Sequence, residues 1–330
     1  MKALFLRGWL ILFLAHVFVG AGCGKAQNIP QSDNDTFNPP VHQPALLGRL
    51  IFHSYTCYTC NDAEIFLYDF ATGKLSSLSA AWNITNPMNA HFSPDGKSIV
   101  FMGLQQGSGW DIFSWRIGSS GMPVNLTARY GNLRDEDPKY AADGFHIVFK
   151  QNGQLKEADT LGNIVRSFDV PQTEASMPYY AKADSVILYS GMDASGKETD
   201  IFQLSLKTGY VRPLAAQAGI QEYYPIARDD TSYLYSRWYS ASNRSDQVYL
   251  GFLNGRNPQR LLFNESGADY SDAYPVNSRF LILSSTVSGG KGGYDLFVAD
   301  MVSGAKWSLN TYHLSVNSSK NELGACYTAY

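Results

Sequence analysis

Four acidic residues recur at one place in a repeating pattern. Asp135, Glu222, Asp272 and Glu322 each stand three residues ahead of a recurring strand position. Carboxylates gathered by such a repeat disfavour simultaneous ionisation unless a cation, a basic side chain or backbone amides compensate them. The chemistry on offer is capture of a divalent cation or of a cationic peptide end at a channel mouth. The alternative is local, each acid tying its own turn to neighbouring backbone N–H groups. Trp82 and Trp238 lie in polar segments, and Tyr224 and Tyr274 lie beside the acids. Such rings stack on sugars, anchor a protein interface, or fill the space between structural units.

The search for catalytic residues is mostly negative. No Gly-x-Ser-x-Gly elbow and no His-Glu-x-x-His occurs, which removes the sequence signals of an α/β-hydrolase and of a zincin. His53, His91, His146 and His313 fall in different units of the repeat. Cysteine chemistry is similarly sparse. Cys57 and Cys60 form one C-x-x-C with no helix pattern after it and no second pair, so neither a thioredoxin-like motif nor a structural zinc site is expected. With Cys23 assigned to lipid, Cys57, Cys60 and Cys326 remain, and Cys326 is expected to pair with one of the other two.

The elements that must position these residues are short strands. "AHFSPDGKSIVF", residues 90–101, is a strand, a Pro-Asp-Gly turn and a second strand. Strand openings recur at Ala90, Pro138, Pro178, Pro225, Pro275 and Ala325, a spacing of roughly 40 to 50 residues that signals a repeat architecture. A third strand recurs as "EIFLYD", "DIFSWR", "DIFQLS", "DQVYLG" and "DLFVAD". β-Branched and aromatic residues run in groups of four to six between Gly, Asn, Ser and Asp clusters, and long helical periodicity is absent beyond the leader. Each unit therefore holds about four strands.

"FSPDGKSIVF", "YAADGFHIVF" and the Asp-Ile-Phe strands resemble the TolB-like β-propeller repeats over residues 48–330. The resemblance implies an all-β, six-bladed propeller. "GRLIFHS", residues 48–54, aligns with a second strand and leaves the first blade without its innermost strand; "NELGACYTAY", residues 321–330, supplies it. A C-terminal strand thus completes the first blade and covers edges that would otherwise be exposed. A Cys326 bridge would pin that closure.

The first residues have the layout of a processing signal: Lys2 and Arg7, an apolar run over residues 8–19 too short to span a bilayer comfortably, and small residues before Cys23. "VGAGC" resembles a bacterial lipobox, with Gly20 where such boxes carry an aliphatic residue. A plain cleaved secretory signal is the other reading. The expected organisation is a signal peptide over residues 1–22, a lipidated Cys23 and flexible tether over 23–45, and the propeller over 46–330. The Pro-rich, polar tether has a reach of about 25 Å. The mature chain is expected outside the cytoplasm, on the periplasmic face of the outer membrane or at the cell surface, touching the membrane through its lipid alone.

A net charge of −3 with both signs scattered provides no basic field, so nucleic acid is excluded as a partner. Two functions fit. The first is a non-enzymatic module that presents one loop-rich face to a protein or peptide. The second is a carbohydrate-active propeller, a glycan binder or a polysaccharide lyase, for which Tyr223, Tyr224, Arg134 and His91 supply suitable groups.

Overall fold

A computed structural model describes residues 42–105 and 109–329. The expected signal peptide, Cys23 and most of the expected tether lie outside these residues. Six four-stranded antiparallel sheets are arranged as the blades of a β-propeller. The innermost strands of blades one to six are Asn321–Thr328, Thr85–Phe92, Asp135–Tyr140, Glu174–Ala181, Glu222–Ala227 and Tyr270–Pro275. Blade one is completed as expected: Asn321–Thr328 pairs antiparallel with Arg49–Tyr55, Leu50 facing Tyr327 and Ile51 facing Cys326. Hydrogen bonds that would otherwise lie open on two edges are thereby used.

Six apolar clusters hold the ring, one for each boundary between blades. The second strand of blade two shows how one short run serves two boundaries. Ile99 and Phe101 enter the cluster shared with blade one, and Val100 and Met102 enter the cluster shared with blade three. Successive side chains on a strand point to opposite faces, so a strand covered on both faces reads as a continuous apolar run. Burying one such side chain contributes about 1.5–3 kcal/mol.

Each innermost strand carries a bulge at the same place. Its register shifts between Met88 and His91, Glu136 and Lys139, Ser176 and Tyr179, Tyr223 and Ile226, and Ser271 and Tyr274, with the matching shift opposite Leu323 and Cys326. The first extra residue has a left-handed backbone in every blade: Asn89, Asp137, Met177, Tyr224, Asp272 and Gly324, with φ of 53°, 55°, 53°, 53°, 51° and 65°. The next residue is always Ala or Pro.

This pattern corrects the register read from blade six. The residue equivalent to Ala90 is Ala273, two positions before Pro275. A shift of two preserves the in–out alternation of a strand, so both alignments satisfy the apolar pattern. The consequence is chemical: Asp272 occupies a different place from Asp135, Glu222 and Glu322.

Candidate functional site

Asp135, Glu222 and Glu322 lie two residues before the left-handed residue of their strands, the position held by Tyr270 in blade six, and all are at most 1% exposed. They do not encircle the channel. Glu322 ties its own turn: Oε1 accepts hydrogen bonds from the hydroxyls of Ser54 at 2.7 Å and Ser318 at 2.6 Å, and Oε2 accepts Ser318 N–H at 3.1 Å. Glu222 lies 3.5 Å from Arg237 Nε, and burial pushes its pKa up to about 7. Burial also raises Asp135, to about 6.

Trp82 and Trp238 also lie apart from the axis. Trp82 stacks on Phe101 with ring centroids 4.9 Å apart and meets Trp115 edge-on, filling a wedge between blades. Trp238 lies under the Arg244 guanidinium, 4.7 Å from its ring centroid.

The axial cavity is built by the bulges. It is a funnel of about 460 Å³ on the face where innermost strands begin and second strands end. Asn89, Asp137, Met177, Tyr224 and Asp272 reach it directly, so one recurring backbone distortion places side chains from five blades around one axis. Tyr55, Tyr58, Tyr223 and Tyr294 form much of the wall, with Met88, Met102 and Met192 between them. A charged network occupies the side made by blades three and four. Glu136 lies between Arg134 Nε at 2.7 Å and Lys150 Nζ at 2.6 Å, and Lys150 reaches Glu174 at 2.9 Å.

Beneath the funnel the channel narrows to a throat of about 50 Å³. Its lower ring comes from the residues two places after each left-handed one: His91, Lys139, Tyr179, Ile226, Tyr274 and Cys326. Tyr179 and Tyr274 hydroxyls meet at 3.3 Å, and His91 Nε2 lies 3.4 Å from Tyr179 Oη. Of the residues singled out in the sequence, Tyr224 and Asp272 line both funnel and throat, His53, Arg134 and Tyr223 line the funnel, and His91, Tyr274 and Cys326 line the throat.

Charge in this region is unevenly compensated. Asp137 Oδ1 accepts from the Asn89 amide at 2.7 Å, and Asp272 Oδ2 accepts Gly324 N–H at 3.0 Å. Burial raises both carboxyl pKa values; the Glu136 charge adds to the rise at Asp137, and the Asp137 charge adds to that at Asp272. Lys139 is the adjacent cation, with its own pKa lowered by burial. Burial holds His53 and His91 near a pKa of about 3, so both are neutral at pH 7. Farther up the wall, Tyr223 donates to Asp246, whose pKa burial raises to about 6.

Sequence reasoning missed Asp137, Lys139 and Tyr58. The signal for the first two was present as a triplet centred on Ala or Pro: "NAH", "DPK", "MPY", "YPI", "DAY" and "GAC". The cysteine pairing also differs from expectation. Cys57 bonds to Cys60, and Cys326 is a buried free thiol. Register explains the difference, since Cys326 faces Ile51 in mid-strand, whereas Cys57 follows the strand's end at Tyr55.

No hydroxyl of Ser or Thr hydrogen-bonds a histidine ring among the described funnel residues. No described group of three or more His, Cys, Asp or Glu is placed to hold a metal ion.

Structural comparison agrees with the architecture. TolB from Acinetobacter baumannii superposes with a TM-score of 0.66 at 14% identity, over 86% of this chain and 67% of its own. The fold is that of the TolB propellers. A putative TolB from Agrobacterium tumefaciens matches 80% of this chain and 89% of its own at 12% identity, TM-score 0.59. Hydrazine synthase from Kuenenia stuttgartiensis matches with a TM-score of 0.66 at 16% identity, over 86% of this chain but 47% of its own. The TolB-type propeller thus accommodates proteins of different activity, and fold alone does not assign one. No family model and no curated protein matches the sequence.

Proposed function

We propose that this TolB-type propeller is a non-enzymatic binding module whose funnel receives a segment of a protein or peptide partner. The observation that carries the reading is the placement of Asp137 and Asp272. They come from blades three and six, at opposite places in the ring of six, and line the base of a tyrosine-walled funnel. Lys139 offsets one of these two charges, and the neutral histidines offset none. The base therefore favours a cationic group, with Tyr224 and Tyr274 beside it. Lipidation at Cys23 would hold the module at a membrane surface on its tether, and among the described residues no helix is long and apolar enough to cross one.

The test is binding of an Ala-Lys-Ala peptide with a free amino terminus and a C-terminal fluorophore, compared at low and high salt. The Asp137→Asn/Asp272→Asn protein is expected to bind about tenfold or more weakly, with its salt dependence flattened. Equal binding by wild type and variant would remove the funnel base from the site.

A further inference from the structure

The exposed loop after Arg49–Tyr55 carries a feature that neither the fold nor the binding reading requires. Cys57 and Cys60 are joined through a disulfide, and Tyr58 between them is 46% exposed and lines the funnel. Tyr58 stacks on Trp110 of blade two with ring centroids 6.0 Å apart, so it bridges two blades at the rim. The bridge closes a ring only a few residues long. Such a ring withdraws far less chain entropy from the unfolded state than a long one.

The base of the loop is held independently. Thr56 N–H and hydroxyl both donate to Asp62, at 3.0 and 2.6 Å, and Lys320 pairs with Asp62 at 3.0 Å. Asn321 donates to Thr56 O at 3.0 Å. At the tip Asn86 donates to Tyr58 O at 3.5 Å and Cys60 N–H to Cys57 O at 3.0 Å, and the disulfide adds a covalent constraint to these weaker contacts on Tyr58.

We propose that Cys57–Cys60 is a thiol-exchange site for an external dithiol, and that its reduction releases Tyr58 from the funnel rim. The effect on ligand affinity rests on the funnel reading above; the release of Tyr58 does not. In the first step a thiolate of the dithiol attacks Sγ of Cys60, the more exposed of the two residues. The S–S bond breaks and its electron pair passes to Cys57 Sγ, 3.6 Å from the Thr59 hydroxyl, which donates to the forming thiolate. The second thiolate of the dithiol then attacks the mixed disulfide and displaces Cys60. The dithiol leaves as a cyclic disulfide, having given two electrons and two protons to the pair of cysteines.

The experiment uses the full chain with dithiothreitol as the dithiol. Native reduction is expected to expose two new titratable thiols, beyond those counted before reduction, while Cys326 stays unreactive until the fold is lost. Melting temperature should fall by less than about 5 °C. Trp110 emission should shift, and the shift should vanish in Trp110→Phe. The Cys57→Ser/Cys60→Ser protein should match reduced wild type without added dithiol. The fluorescent Ala-Lys-Ala peptide should bind about 3- to 10-fold more weakly after reduction, and Tyr58→Ala should be equally weak in both states.

A disulfide that resists dithiothreitol until the protein unfolds overturns the proposal. So does reduction that leaves Trp110 emission unchanged, or a thiol-free double variant with oxidised-like emission. If the peptide binds neither state while thiols and emission respond as expected, the exchange site stands and the funnel reading fails.

Discussion

The Asn89 side-chain amide donates to Asp137 Oδ1 at 2.7 Å, joining neighbouring blades at equivalent positions on the axis. Both residues are the left-handed member of their bulge. The bond couples backbone geometry to charge, because one member of the ring partly satisfies a buried carboxylate on the next.

Asn89→Asp should replace that bond with a repulsive contact between acids. Destabilisation of about 1–3 kcal/mol is expected at neutral pH, with part of it recovered on acidification as one carboxyl takes up a proton. Chemical denaturation at pH 7.5 and pH 5 checks this. An unchanged midpoint at both values would show that the amide contact contributes nothing to closure.

Glu222 makes stability depend on pH in the direction opposite to a surface ion pair. Burial raises its pKa from 4.5 to about 7 in the folded protein. A raised carboxyl favours the folded state fully below the unfolded value, and that contribution is lost as pH rises through the folded one. Wild type should therefore lose stability from Glu222 between about pH 4.5 and 7, by an amount on the order of 3 kcal/mol. Glu222→Gln should show a smaller fall in melting temperature between pH 5 and 8. Parallel profiles for the two proteins would place the pH dependence elsewhere.

Much of the architecture was legible in the sequence because it is repetitive. "EIFLYD" and "DLFVAD" match two third strands residue for residue, and the apolar runs mark strands covered on both faces. Blade three kept its place in the ring although its third strand, "QLKEAD", lacks the motif. The candidate site was less legible. Apolar alternation has a period of two, so it could not distinguish Ala273 from Pro275, and that ambiguity grouped Asp272 with acids that belong to the blade interior. The bulge itself has no single residue type: Asn, Asp, Met, Tyr and Gly all occupy its left-handed position. Tyr58 escaped notice because its role depends on a contact with Trp110, which the sequence separates by half a hundred residues.

Gly324 is where the bulge tolerates least. A Cβ there would lie 2.6 Å from His53 Nδ1, on a backbone whose φ of 65° already disfavours a side chain. Gly324→Ala should cost about 2–4 kcal/mol, combining backbone and steric penalties. Gly73→Ala, at a similar φ of 66° with open space around it, should cost about 1 kcal/mol. Thermal melts of the two variants make the comparison. Equal losses would mean that His53 yields freely and the contact is soft.

The pairing of Asn321–Thr328 with Arg49–Tyr55 also sets an order of events. A chain emerging from the ribosome can assemble blades two to six in succession, each from one continuous stretch. The first blade cannot join them in this way. Its three early strands must wait, with an open edge on Arg49–Tyr55, until the strand carrying Glu322, 268 residues beyond Ser54, arrives. Closure of so distant a contact is entropically slow. Until that strand is made the chain is thus an unclosed arc, and Asn321–Thr328 acts as a timing device that delays the finished ring and the funnel within it.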